Sequence, residues 1–264
     1  MSQTQPQFIS SPHNPQVKRW MSLLETPGIK RHQQCLLSGI RIGAELLRQS
    51  PHTILELLTP NEGAPSDTLG FTGPVYRLAN QLFQELDIFG THAPLWICSI
   101  PALSPYDLTA APKGLEILCP MGDPGNLGSL LRGCWAFGVD RVILLNESVH
   151  PFHPKVIRAS SGAVFSLTLH RGCAIGDLGQ PDMAQWITAL DMIGDDMGIW
   201  AWPKHTRLLI GEEGVGLPAV SFAHRLKIPQ AQESIPLNAS VAGNIALYAY
   251  RQTHPSSTAR RSHR

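Results

Sequence analysis

The sequence predicts an α/β protein: a mainly parallel sheet with helices on both faces, preceded by a smaller α/β domain. Three observations predict it. From about residue 113, short apolar runs at 115–119, 141–145, 199–202, 207–210 and 226–228 alternate with stretches of helical spacing near 127–138, 154–160, 182–193 and 240–253. Strands that are apolar almost throughout are buried on both faces, as parallel strands under crossover helices must be. The first hundred residues have a different texture. Between the two regions, Pro101, Pro105 and Pro112, with Ser104 and Ala110-Ala111 among them, mark a linker.

Taken in order, Phe8 to Pro15 reads as a turn, with Asn14 or Ser11 placed to cap a helix from about Pro15 to Leu24. Cys35-Leu36-Leu37 is a strand. After Ser38-Gly39, the positions Ile40, Gly43, Ala44 and Leu47 repeat at three to four residues, which predicts an amphipathic helix, and 54–58 is the next strand. Leu82, Leu86 and Ile88 predict a further helix, and 95–100 a further strand. The expected division is therefore 1–104, 113–253, and a basic tail over 254–264 read as disordered.

Composition limits the function classes. The 264 residues are 43% hydrophobic, enough for an ample core in each of two domains. No apolar run approaches the roughly 18 residues of a membrane span, and the first twenty residues have no signal-like apolar core, so no membrane partner and a cytoplasmic location are expected. Five widely spaced cysteines with no Cys-x-x-Cys pair argue for reduced thiols rather than a disulfide framework or a zinc site. His150 and His153 have a possible ligand spacing but no acid or cysteine cluster beside them, so no metal is expected. A net charge of +1 excludes bulk electrostatic coating of nucleic acid. The distribution is less even: residues 251–264 carry four arginines and no acid, whereas 101–250 carry ten Lys and Arg against thirteen Asp and Glu.

Three loops carry the chemistry. In Asp123-Pro124-Gly125-Asn126-Leu127-Gly128-Ser129-Leu130-Leu131-Arg132 a turn leads into a helix that Asn126 is placed to cap. Leu127, Leu130, Leu131 and Cys134 form one apolar stripe, and at 100° per residue Arg132 falls away from it, on a side with Gly128 and Ala136. Taken alone, Arg132 reads as an ordinary surface arginine. Gly211-Glu212-Glu213-Gly214-Val215-Gly216-Leu217-Pro218 puts three glycines directly after a strand, so the backbone can approach a ligand closely. A dinucleotide site is the rival reading. Its fingerprint is G-x-G-x-x-G opening a helix, and two adjacent glutamates would repel a pyrophosphate. Pro236-Leu237-Asn238-Ala239-Ser240-Val241-Ala242 precedes an apolar helix; Asn238 and Ser240 offer short polar groups there, which is also plain capping chemistry.

In this order the three loops resemble the motifs of the SpoU (TrmH-like) family of RNA ribose 2′-O-methyltransferases. Pro154-Lys155-Val156-Ile157-Arg158-Ala159-Ser160-Ser161-Gly162-Ala163 resembles that family's next recurrent segment, and Ile9 to Lys18 and Leu36 to Arg41 are similar to its N-terminal substrate-binding domain. The resemblance implies a C-terminal trefoil knot that holds S-adenosyl-L-methionine, RNA as substrate, ribosomal RNA before transfer RNA, and a homodimer. It places Asn126, Arg132, Glu213 and Asn238 in the catalytic set. Gly211, Gly216, Ile228, Leu237, Asn238 and Ser240 fall at the cofactor. Lys18, Arg41, Lys155 and Arg158 are the candidate RNA contacts, with Arg19, Trp20, Lys30 and Arg31 as further cations and a stacking ring. One departure stands out. Where the family pattern has Ser-Leu-Asn, this chain has Pro236, which offers neither hydroxyl nor backbone N–H. A catalytically silent RNA-binding relative is therefore the alternative, and a nucleotide-dependent oxidoreductase a remote one.

Overall fold

The structure, a computed structural model, describes residues 6–62, 70–211, 217, 220–232 and 235–255. The elements of the first hundred residues are β1 (Gln7–Ile9), α1 (Pro15–Ser22), α2 (Thr26–His32), β2 (Gln34–Ser38), α3 (Ile40–Gln49), β3 (Ile54–Pro60), β4 (Val75–Leu78), α4 (Asn80–Leu86) and β5 (Leu95–Ser99). There follow β6 (Leu115–Cys119), α5 (Pro124–Ala136), β7 (Arg141–Leu144), α6 (Pro154–Ala159), β8 (Leu169–Arg171), α7 (Pro181–Ala184), β9 (Ile187–Asp196), β10 (Thr206–Ile210), β11 (His224–Lys227) and α8 (Ala239–Thr253). No helix among the described residues is long and apolar enough to cross a membrane.

The chain forms two compact units, and the division is not a single cut. Residues 150–165, read from sequence as part of the second domain, belong with residues up to 102. There α6 packs against β2.

The first unit is a five-stranded mixed sheet in the order β1-β4-β3-β5-β2. Asn14 is the cap of α1: its side chain accepts from the Gln16 N–H at 2.8 Å, and Pro15 follows with the φ a first helical turn needs. Val17, Trp20 and Leu23 point from α1 into a core with Leu36, Leu58, Phe83 and Ile97. Gly43 has a packing reason, because a Cβ there would sit 2.1 Å from the Trp96 indole nitrogen. Three elements escape the sequence reading here. They are the three- and four-residue strands β1 and β4, and α2, which follows α1 after three residues with Pro27 in its first turn.

The second unit is a six-stranded sheet, β11-β9-β10-β6-β7-β8, parallel throughout. Leu118, Ile143, Ala189 and Leu209 form its core with Leu178, Met183 and Phe222. Two assignments are corrected. Residues 187–196 are strand, not the end of a helix over 182–193: Ile187, Thr188, Ala189 and Leu190 are all buried between β10 and β11, a place for a continuous apolar run and not for a one-faced helix. Residues 199–202 pair with no strand. Trp202 is buried, but Ile199 is 85% exposed. Strand β8, with only three residues, had no periodicity to reveal it. The segments 212–216, 218–219 and 233–234, through which the expected knot would be threaded, lie outside the described residues, as does most of the basic tail.

At the amino ends of β6 and β10 a buried ion pair fixes the second half of the linker. Glu116 and Arg207 are both fully enclosed; Arg207 Nε donates to Glu116 Oε2 at 2.9 Å, and its other nitrogens donate to the Leu108 and Ala110 carbonyls at 2.7 and 3.0 Å. The Tyr106 hydroxyl and the Lys113 N–H donate to Glu116 Oε1 at 2.5 and 2.9 Å. Burial and this bond to Glu116 push the tyrosine's pKa up.

Candidate active site

Helix α5 begins a turn earlier than expected, and Asp123, not Asn126, is its cap. The Asp123 carboxylate accepts from the Asn126 backbone N–H at 2.8 Å, with Pro124 at the first helical position. The Asn126 side chain is thereby released from capping. Leu127, Leu130, Leu131 and Cys134 are buried as the stripe predicts, and Arg132 is exposed on another side. Gly128, expected beside Arg132, is buried, whereas Ala136 is exposed. Arg132 has no hydrogen bond or ion pair among the described residues.

Helix α8 starts from Asn238. Its side-chain oxygen accepts from the Ser240 and Val241 N–H groups at 3.0 and 3.2 Å and from the Ser240 hydroxyl at 2.7 Å. Its side-chain nitrogen donates to Asn126 Oδ1 at 2.9 Å, a bond between residues 112 apart in sequence. Helices α5 and α8 pack together, and Gly133 of α5 leaves the space that Asn244 of α8 fills: a Cβ there would meet Asn244 Oδ1 at 1.6 Å. The two short polar side chains are thus brought together by the fold.

Beside them lies a cavity of about 620 Å³ at the carboxyl end of β10 and the middle of β9, where Ile210 pairs with Leu190. Parallel sheets bind ligands at this end, where loops diverge from adjacent strands. Of the residues expected at a cofactor, Gly211, Ile228, Leu237 and Asn238 line it. Ser240 does not; its side chain is buried and spent on Asn238. Pro236 stands in the wall. Sequence reasoning missed the contribution of β9, whose Leu190, Asp191 and Met192 form one side. The available signal was an acid directly after an apolar run. Asp191 is held by an ion pair with Arg225, which also donates to the Val220 carbonyl at 2.8 Å. Glu213 and Gly216 lie outside the described residues.

The four candidate RNA contacts all belong to the first unit. Lys18, Arg41, Lys155 and Arg158 are exposed there on α1, α3 and α6. The Arg158 guanidinium carbon lies over the Phe89 ring, 4.4 Å from its centroid. Two further expectations are corrected. Trp20 is fully buried in the core and has no face for a base, and Arg19 is committed to Glu56 at 2.7 and 2.8 Å. His153 caps α6 by accepting from the Lys155 N–H at 3.2 Å. Burial, with Lys30 and His153 adding repulsion, lowers the His150 pKa from 6.5 to about 4.

Comparison with known proteins agrees with this arrangement. Residues 117–248 match the SpoU rRNA Methylase family. A Syntrophobacter fumaroxidans protein named ribosomal RNA small subunit methyltransferase G 2 is 36% identical over 248 residues, which take in 93% of this chain but 49% of that protein. The chain therefore spans about half the length of that relative. A Bacillus subtilis 23S rRNA (guanosine(2553)-2′-O)-methyltransferase is 26% identical over 249 residues, 92% of this chain and 98% of that one. The crystal structure of an AdoMet-bound rRNA methyltransferase from Sinorhizobium meliloti superposes with a TM-score of 0.77 at 25% identity, covering 96% of this chain and all of the other. With the matched residues running from β6 to α8 and taking in α5, the cavity and the Asn126–Asn238 contact, the chain belongs to the SpoU rRNA methylase family.

Proposed function

We propose that the protein transfers a methyl group from S-adenosyl-L-methionine to a ribose 2′-hydroxyl of RNA, with ribosomal RNA the preferred substrate. One observation carries the reading: Asn238 both lines the cavity and is hydrogen-bonded to Asn126, so a small-molecule pocket and the first turn of α5 meet at one side chain. The names of the relatives agree with it. The Bacillus subtilis relative is a 2′-O-methyltransferase by name, and the Sinorhizobium meliloti structure is AdoMet-bound.

The cavity suits the cofactor. Its volume lies in the usual range for small-molecule sites, its walls include Leu190, Ile210, Ile228 and Leu237 for an adenine ring, and Asp191 and Asn238 supply polar groups for ribose and amino-acid tail. When bound, S-adenosyl-L-methionine supplies a methyl carbon activated by the positive sulfonium beside it. The protein's task is to place the hydroxyl oxygen in line with that carbon and to stabilise the charge that grows on the oxygen. Arg132 takes the second role. A guanidinium stays protonated at neutral pH and so acts as a donor and a charge, not as a base. Asn126 and Asn238 orient it or the ribose, and Glu213 is assigned to hold the arginine by family likeness. Arg158, seated over the Phe89 ring, and the cations Lys18, Arg41 and Lys155 hold RNA phosphates and an unpaired base. The first unit is thus assigned to substrate, the second to chemistry. A second copy of the chain is assigned to the exposed apolar face of α5 and α8, where Trp135 and Tyr248 are each 54% exposed.

A second reading has one observation behind it. Pro236, in the cavity wall, can make no hydrogen bond through nitrogen or side chain, which favours a cofactor-binding relative that transfers nothing. Labelled methyl transfer into unmodified ribosomal and transfer RNA, followed by alkaline digestion, separates the readings. Label in alkali-resistant dinucleotides is expected. Label in single nucleotides, or none despite cofactor binding, overturns the proposal.

A further inference from the structure

We infer that Asn126 presents its side-chain NH₂ to the substrate as a hydrogen-bond donor, and that Asn238 and Ser240 are the positioning residues that fix this polarity. The inference rests on the reading of the site as one that binds a ribose hydroxyl. An asparagine side chain has an oxygen that accepts and a nitrogen that donates, and the two ends are interchangeable in shape. What fixes them is the neighbours.

At Asn238 the neighbours permit one orientation. The backbone N–H groups of Ser240 and Val241 can only donate, so the atom that faces them at 3.0 and 3.2 Å is the oxygen. The Ser240 hydroxyl, buried at 4% exposure, adds a third donor to the same atom at 2.7 Å. A flipped Asn238 would turn its NH₂ against the two backbone donors at once. The nitrogen therefore points to Asn126, and the atom it meets at 2.9 Å must accept. That turns the oxygen of Asn126 towards Asn238. Its NH₂ is left, with two hydrogens that have no partner among the described residues. The backbone N–H of Asn126 is already satisfied by Asp123, so no capping duty competes for the side chain.

The chemical consequence is specific. Asn126 can hold a substrate oxygen and stabilise negative charge on it, but an amide is too weak a base to receive the hydroxyl proton. Arg132, the other assigned side chain of α5, is likewise a donor only. The hydroxyl proton must leave to an acceptor other than these two.

Four variants and one direct measurement test this. Asn126→Asp keeps the acceptor towards Asn238 and removes both donors. The expected result is a fall in kcat of about 100-fold or more, the scale of losing one preorganised donor where charge develops, with S-adenosylhomocysteine affinity unchanged within about threefold. Activity of Asn126→Asp above that of Asn126→Ala would show that acceptance matters and overturn the inference. Ser240→Ala is expected to lower kcat about two- to tenfold without changing the KM for the methyl donor, the weight of one neutral hydrogen bond, and Ser240→Thr to restore it. Equal loss in both variants, or a loss confined to KM, would leave Ser240 no positioning role. Side-chain amide hydrogen exchange in the free protein needs no methyl transfer at all. Slow exchange at Asn238 with fast exchange at Asn126 supports the polarity even in a protein that turns out to be silent, and the reverse order overturns it whatever the activity.

Discussion

The two ends of the second unit's sheet hold polar clusters of similar size and opposite character. At the amino ends of β6 and β10, Glu116 and Arg207 are wholly buried, and five bonds from Tyr106, Lys113, Arg207 and the Leu108 and Ala110 carbonyls use their capacity. At the carboxyl ends, Asn126 keeps donors with no partner among the described residues, bonded to the Asn238 that lines a cavity, and Arg132 of the same helix is exposed and without a partner among those residues. Both clusters join segments far apart in sequence. The difference is that the first leaves nothing for a ligand and the second leaves donors without a partner among the described residues. A saturated buried cluster fixes structure, and an unsaturated one at a sheet's carboxyl edge is where a substrate can enter the bonding.

The comparison is sharpest where a saturated group is broken. Arg207→Ala leaves the Glu116 carboxylate buried and short of its main partner, and breaking such a pair costs about 3–5 kcal/mol. A drop of that size in denaturant stability is expected, with methyl transfer per folded molecule retained. Loss of transfer without loss of stability would break the distinction between the two ends.

His150 extends the argument to the first unit. Its Nδ1 accepts from the Phe152 N–H at 3.3 Å, and its pKa is lowered to about 4 from 6.5. The unfolded chain therefore takes up the proton first as pH falls. The stability this neutral imidazole provides is full above about pH 6.5 and is lost progressively towards pH 4. Melting temperatures of His150→Gln and the parent, taken from pH 7 to 4, are expected to converge at the acid end, and a constant offset would contradict the assignment.

Smaller effects are expected where single contacts are changed. Arg158→Ala should weaken RNA binding several-fold and reduce the dependence of log affinity on log salt by about one, leaving S-adenosylhomocysteine affinity as it was. Pro236→Ser restores a hydroxyl to the cavity wall. One added neutral hydrogen bond is worth about 0.5–1.5 kcal/mol, so a gain of about two- to tenfold in transfer rate is expected, and no gain would show that this site does without that group.

Much of this architecture could be read from the chain, and the failures have physical causes. The runs at 115–119, 141–145 and 207–210 became buried parallel strands because a sheet covered on both faces demands continuous apolarity. Asn14 and Pro15 fixed α1 by local chemistry alone. The α5 cap was misread as Asn126, although Pro124, which prefers the first helical position, pointed to Asp123. Residues 182–193 gave a mixed signal, since Met183, Ile187 and Leu190 have helical spacing while Ile187 and Thr188 favour strand; two flanking strands decided it. Trp20 was legible and misjudged, because Val17, Trp20 and Leu24 already mark an apolar helix face. No local pattern could show that 150–165 packs with the first unit, or that Asn126 and Asn238 meet. Those are tertiary contacts between residues with no shared periodicity.

The central claim is that the carboxyl end of the sheet holds the chemistry through groups that contribute nothing to the fold. Methyl transfer and melting temperature measured together on Arg132→Ala test it most directly. The account predicts transfer to ribose reduced by about 100-fold or more at an unchanged melting temperature and unchanged S-adenosylhomocysteine affinity. Retained transfer, or a fall matched by a loss of stability, would contradict it.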